Sequence, residues 1–277
     1  MPTWPSGRRS GETPGDEGPL AIVTGASSGI GYELARLLAH DGYRLLLIAR
    51  DPARLEAAAA SLRAGNGGRR LIETRVVDLA DPDALDEIAC FINGLCPDVL
   101  VNNAGFGGYG PFARTGMARE VEMIATNVTA LTVLAKAVLP GMLERRAGHI
   151  LNVGSTASFA PGPFAAVYAA TKAYVLSFSE ALSDETRGSG VTVTALCPGP
   201  TRTAFAARAG MGETKVFKSA VADAESVAQI GYAAMKAGTP VAVAGLFNKV
   251  LVFMVRLVPR SLVVQMSRRA FTLDGGK

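Results

Sequence analysis

Seven short apolar runs recur along the chain, each separated from the next by a stretch of helical period. The runs are 20–23, 44–48, 71–77, 99–101, 149–153, 191–196 and 239–243, and the helical stretches are 30–40, 52–64, 82–95, 117–146, 164–186 and 222–237. A strand with apolar side chains on both faces needs cover on both faces, and strand–helix alternation supplies it. The pattern predicts an α/β fold. Residues 20–245 form a single doubly wound Rossmann-type domain, with a seven-stranded parallel sheet and helices on both faces. Pro140 falls inside the fourth helical stretch and is expected to bend or end it. Residues 1–19 hold Gly, Pro, Ser and charge with little to bury, and read as a disordered N-terminal extension.

Composition removes several alternatives. Of 277 residues, 49% are hydrophobic and 19% charged, which excludes an intrinsically disordered chain. The 31 glycines follow no triplet period, so the chain is not collagen-like. Three cysteines (Cys90, Cys96, Cys197) are too few for a disulfide framework, and none has metal-ligand spacing. With only His40 and His149, neither a His-based metal site nor a Ser-His-Asp triad is expected. The net charge is +4, but it is unevenly spread. From Lys249 onward, Lys249, Arg256, Arg260, Arg268, Arg269 and Lys277 face only Asp274, a local +5 that leaves −1 for the rest. A nucleic-acid protein would spread its basic footprint over the fold, so no nucleic-acid partner is expected. Arg8 and Arg9 precede no apolar signal core, and no uninterrupted apolar run reaches the ~18–20 residues of a membrane span. The expected location is cytoplasmic.

Thr24-Gly25-Ala26-Ser27-Ser28-Gly29-Ile30-Gly31 follows the first run and opens the first helix. A phosphate needs close backbone approach, free N–H donors and the positive end of a helix dipole, and a turn of this kind offers all three. Gly25, Ser27, Ser28, Gly29, Ile30 and Gly31 are therefore candidate cofactor-binding residues. At the end of the second run, Ala49 stands where a ribose-binding acid would be expected, and Arg50 follows. An Arg there accommodates a 2′-phosphate and favours NADP(H) over NAD(H). Asp51 reads as the N-cap of the helix that begins at Pro52. Tyr168 and Lys172 stand four apart and share a helix face, so the ammonium is expected to lower the phenol pKa toward working pH. A phenol so tuned exchanges a proton with a carbonyl or alcohol oxygen. Cys197 reads as a packed apolar residue and His149 as structural.

Several motifs occur in order: Thr24-Gly25-x-x-x-Gly29-x-Gly31, Val77-Asp78-Leu79, Asn102-Asn103-Ala104-Gly105, Asn127, Ser155, Tyr168-x-x-x-Lys172 and Pro198-Gly199. In these the chain resembles the short-chain dehydrogenase/reductase family, over residues 20–243. The DltE-like and the long-chain ketoacyl or hydroxysteroid reductase branches are the nearest in kind. The resemblance implies a catalytic set of Asn127, Ser155, Tyr168 and Lys172. Tyr168 is then the general acid/base, and Lys172 holds the nicotinamide ribose. Ser155 hydrogen-bonds the substrate oxygen, and Asn127 holds a relay water. It also implies that Asp78 and Leu79 meet the adenine, and that Asn102 sits beside the adenosine ribose with Ala104 keeping the strand end open. Pro198, Gly199, Thr201 and Thr203 would cover the nicotinamide. The family further implies a homodimer or homotetramer.

After the seventh run the chain continues through 246–258 and 261–271, apolar at helical spacing and divided by Pro259. This basic amphipathic C-terminal extension (246–277) has two readings. It either lies on an anionic membrane surface as a peripheral contact, or it packs over its own domain or a partner subunit. The segment between Thr203 and Ala222 offers Phe205, Met211, Val216 and Phe217, which suits a hydrophobic ketone, steroid-like or 3-oxoacyl substrate. The expected function is NADP(H)-dependent interconversion of a carbonyl and a secondary alcohol. The alternatives are a cofactor-sensing binding protein without turnover and a nucleotide-sugar epimerase or dehydratase.

Overall fold

The computed structural model describes residues 18–65, 71–212, 214–218 and 221–272. The extension read over 1–19 therefore lies outside the described residues except for Gly18 and Pro19, as does Asp274. All seven runs form strands: β1 (Leu20–Thr24), β2 (Arg44–Ala49), β3 (Ile72–Val76), β4 (Val99–Asn102), β5 (Gly148–Val153) and β6 (Val191–Cys197). After β7 (Thr201–Arg202) and β8 (Ala222–Asp223), which pair only with each other, β9 (Val241–Val243) completes the set. The main sheet is parallel throughout, in the order β3-β2-β1-β4-β5-β6-β9. The two-residue β7 and β8 are too short to leave a period in the sequence.

The helices are α1 (Gly29–His40), α2 (Pro52–Gly65), α3 (Pro82–Leu95), α4 (Met117–Ile124), α5 (Leu131–Arg145), α6 (Ala166–Glu185), the short α7 (Phe205–Ala209) and α8 (Lys215–Lys218), and α9 (Ala224–Lys236). Alternate residues of each central strand enter opposite cores. Ala21, Val23, Leu45 and Leu47 pack with Leu34 and Leu38 of α1 and Val227 of α9. Ile22, Leu46 and Ile48 pack with Ile88 and Ile92 of α3 and with Leu134 and Val138 of α5. Each such side chain removed from water contributes about 1.5–3 kcal/mol, so both faces hold the sheet. Local chemistry sets the helix starts. Asp51 accepts from the Arg54 N–H at 3.0 Å, as expected of a cap, and Asp81 accepts from Asp83 and Ala84 ahead of α3.

The fourth helical stretch is one rod, with a wider π-turn at Ala125–Ala130 between α4 and α5. Pro140 does not end it: α5 runs on to Arg145. Pro140 lies on the exposed face, where solvent can answer the carbonyl its missing N–H leaves free. By length and composition Met117–Arg145 could cross a membrane; here Leu134, Val138 and Met142 seat it on the sheet.

The sheet winds outward in both directions from β1 and β4, so a crevice opens where these two strands end. The Thr24 hydroxyl closes its base: it donates to Val101 O and accepts from the Asn103 and Ala104 N–H groups, both at 3.0 Å. Beyond β9 follow α10 (Leu246–Leu257) and α11 (Arg260–Phe271), divided at Pro259.

Candidate active site

A cavity of about 670 Å³ runs across the carboxyl ends of the strands. Its floor is the turn after β1. Gly25 has φ +64°, a left-handed conformation that glycine adopts without strain, and a Cβ there would lie 2.7 Å from Asn103 Nδ2 and 2.9 Å from Ala104 Cα. Gly31 does not face the cavity. A Cβ there would meet Asn103 Nδ2 at 2.3 Å and Gly25 O at 2.5 Å, so its absence lets α1 seat against the turn. Ser27, Ser28, Gly29 and Ile30 do line the cavity. The Ser28 side chain makes no capping bond, leaving the N–H groups of the first turn open to an anion. The cradle fits a dinucleotide pyrophosphate.

Asp78, Leu79, Ala104 and Gly105 line the next part of the wall. Asn102 does not. It is buried, and its amide donates to Asn152 Oδ1 at 3.0 Å and to Leu131 O at 3.4 Å, away from the cavity. Successive side chains of a strand alternate in direction, so the position facing the turn is the next one. Asn103 holds it and donates to Thr24 O and Gly25 O.

Three guanidinium groups border one end of the cavity: Arg50, Arg54 and Arg208. Arg50 donates to Glu122 Oε1 at 2.6 Å. Among the described residues neither Arg54 nor Arg208 has an acidic partner within ion-pair distance. Burial, together with the charges of Arg54 and Arg50, pulls the Arg208 pKa down. Arg54 and Arg208 were not anticipated as site residues. Their sequence signals are the Arg50-Asp51-Pro52-Ala53-Arg54 spacing, which puts two cations at one strand end, and a lone Arg in an apolar segment.

At the centre stand Ser155, at the end of β5, and Tyr168 and Lys172, on α6. Lys172 Nζ donates to Val153 O at 2.8 Å. Ser155 Oγ accepts from the Ala157 N–H and faces the Tyr168 hydroxyl, while Ser158 points inward and donates to Lys172 O at 2.7 Å. Asn127 sits on the π-turn and spends its side chain on structure. Its amide donates to Phe106 O and Thr171 Oγ1, and its Oδ1 accepts from the Phe106 N–H. It thereby ties the loop after β4 to α6.

The expected low tyrosine pKa is not found. Burial pushes Tyr168 up to about 12, only partly opposed by Ser155, and burial lowers Lys172 to about 8. Removal of both groups from water outweighs any attraction of phenolate for ammonium. Cys197 is fully buried, its thiol pushed up to about 12, and it is not part of the cavity wall. His149 is structural, its Nδ1 paired with Thr192 Oγ1 at 2.7 Å.

Pro198, Gly199, Thr201 and Thr203 form the opposite wall. Thr201 Oγ1 donates back to Gly199 O, and Thr203 Oγ1 accepts from the Phe205 N–H. Beyond Tyr168 the cavity becomes apolar. Phe205, Met211 and Phe217 lie on one side, and Leu251, Val252, Val263 and Met266 of α10 and α11 on another. The two C-terminal helices thus pack over their own domain as a roof. Tyr109 Oη donates to Phe271 O at 2.6 Å, and the Lys215 N–H reaches Thr272 O.

The family model for short chain dehydrogenase matches residues 19–214. The chain belongs to the short-chain dehydrogenase/reductase family. Among its relatives, a very-long-chain 3-oxoacyl-CoA reductase from Laccaria bicolor is 36% identical over 179 residues, covering 64% of this chain and 53% of that one. The chain thus spans about half the length of such reductases. A short-chain dehydrogenase from Sphingobium yanoikuyae, solved in complex with NADPH, superposes with a TM-score of 0.77 at 32% identity, covering 88% of this chain and 97% of the other. The bulky-bulky ketone specific alcohol dehydrogenase from Comamonas testosteroni gives 0.73 at 27% identity, covering 88% and 96%.

Proposed function

We propose that this short-chain dehydrogenase/reductase is an NADP(H)-dependent oxidoreductase that interconverts a carbonyl and a secondary alcohol on a bulky, largely apolar substrate. The observation that carries the reading is the position of Ser155 and Tyr168, where the dinucleotide cradle runs into an apolar chamber. Ser155, Lys172 and Pro198, which line the same stretch of cavity, would hold a nicotinamide, and that group would supply or accept the hydride. Tyr168 holds its proton at neutral pH and delivers it to the substrate oxygen as charge develops there. Ser155 donates a hydrogen bond to the same oxygen. Lys172 holds the ribose and keeps a cation behind the phenol, and Asn127 fixes the loop and helix that frame them. Three arginines at the adenosine end support preference for a 2′-phosphate. The Sphingobium relative's complex with NADPH and the 3-oxoacyl-CoA reductases among the relatives support the same reading.

The chamber makes a substrate prediction. NADPH consumption is followed with 3-oxoacyl thioesters of increasing length, bulky ketones and small keto acids. Each added methylene is expected to raise kcat/KM about threefold or fourfold until the chamber fills, since burying one gains ~0.8 kcal/mol. A preference for small charged keto acids overturns the apolar reading.

The pH profile follows from Lys172. Below its pKa of about 8 the ammonium is present, and it is lost as pH rises through that value, while Tyr168 stays protonated. For carbonyl reduction, kcat/KM is expected to be level near neutrality and to fall above about pH 8. A profile that climbs through that region contradicts the assignment.

A further inference from the structure

The helix α10 has two apolar faces, and among the described residues the fold covers only one. At 100° per residue, Val252 and Val255 share the inward side, toward the chamber. Leu246, Phe247, Val250, Phe253 and Leu257 form a separate stripe on the outer side. Leu246, Phe247 and Leu257 are 78%, 76% and 64% exposed. Lys249 and Arg256, two turns apart, run along one flank of that stripe, and Arg260 follows past the bend. Residues 246–272 hold five basic side chains (Lys249, Arg256, Arg260, Arg268, Arg269) and no Asp or Glu. Aromatic and aliphatic groups in a stripe edged by bases suit the headgroup boundary of a bilayer.

We propose that the outer face of α10 docks on an anionic lipid surface, so that the chamber beneath it receives apolar substrate from the bilayer. The charge pattern selects this occupant. A second copy docked through the same face would bring only bases from its own α10 and α11, with no carboxylate to answer Lys249 and Arg256, whereas acidic headgroups answer both. Met254, at the edge of the stripe, is exposed on the outside and also borders the cavity, which puts the lipid face and the chamber one side chain apart. The second half of the proposal rests on the apolar-substrate reading above; the docking itself does not.

The test is flotation of the full chain with phosphatidylcholine vesicles and with mixed phosphatidylcholine/phosphatidylglycerol vesicles. Binding is expected only to the mixed vesicles and is expected to weaken with added salt. Phe247→Ser with Phe253→Ser should weaken it by more than tenfold, and each of Lys249→Gln and Arg256→Gln by about fivefold. None of these four side chains borders the cavity, so turnover of a water-soluble ketone should be unchanged in every variant. Equal binding to neutral vesicles, or no binding to either, overturns the proposal. A dimer in gel filtration that the Phe247→Ser/Phe253→Ser variant converts to monomer overturns it in favour of a second copy. Loss of ketone turnover in the unaltered chain would instead count against the proposed activity and leave the flotation result standing.

Discussion

Replacing Tyr168 by Phe should lower carbonyl reduction by about 10³- to 10⁴-fold while leaving cofactor affinity and folding almost untouched. The substitution removes one oxygen. The ring itself is held by packing: it lies 5.5 Å from the Phe205 ring, centroid to centroid, tilted by 47°, and a Phe ring fills the same place. The hydroxyl is buried with Ser155 as its partner, so its loss leaves no charged group stranded. On the proposed mechanism, what disappears is the proton donor to the substrate oxygen. Side-by-side progress curves and NADPH fluorescence titrations of the two proteins check this. Similar turnover in both would remove Tyr168 from the chemistry. Tight cofactor binding with no turnover in either, across a broad substrate panel, would favour a cofactor sensor.

The second large effect is expected at the arginines. Arg50 shares its charge with Glu122, but Arg54 and Arg208 border the same space without an acidic partner among the described residues. Three cations converging there repel one another, and a dianionic 2′-phosphate would relieve that repulsion. A hydrogen bond to a charged group is worth about 1.5–3 kcal/mol, so Arg50→Gln and Arg54→Gln should each weaken NADP⁺ by about tenfold to a hundredfold and leave NAD⁺ within about twofold. Arg208→Gln should do the same and should also raise KM for substrate, because α7, which carries it, also supplies Phe205 to the chamber. Calorimetric titration with both dinucleotides reads the difference. Equal weakening of the two would mean that these side chains meet the pyrophosphate or only the loop.

The sheet, and the placing of Tyr168 and Lys172 on one cavity wall, were legible in the sequence because each is written locally. Both faces of β1 and β2 are apolar within a few residues, and Tyr168 and Lys172 are related by one helical turn. What escaped depends on where distant segments meet. Arg54 and Arg208 are ordinary surface-type residues until the fold brings α2 and α7 to the same rim. Asn102 and Asn103 are the same letter twice, and only the strand's alternation decides which one faces the turn. The direction of the Tyr168 shift was missed because four-residue spacing reveals a nearby cation but not the water that burial removes. The tail admits two readings in the sequence for a related reason: a helix with two apolar faces can be covered from either side. The structure covers one side with the chamber.

That roof is a separate stretch of chain, α10 and α11. It leaves β9 through Gly245, at φ +88°, and is fastened again by Tyr109 to Phe271 and by Lys215 to Thr272. No residue of the turn after β1 belongs to it. On the proposed activity, cofactor binding and substrate choice in this chain can therefore be altered separately. A library confined to Leu251, Val252, Val263 and Met266 would explore which carbonyls are accepted while the nucleotide cradle and the proton donor keep their sequence. A chain built this way can change its diet without relearning its chemistry.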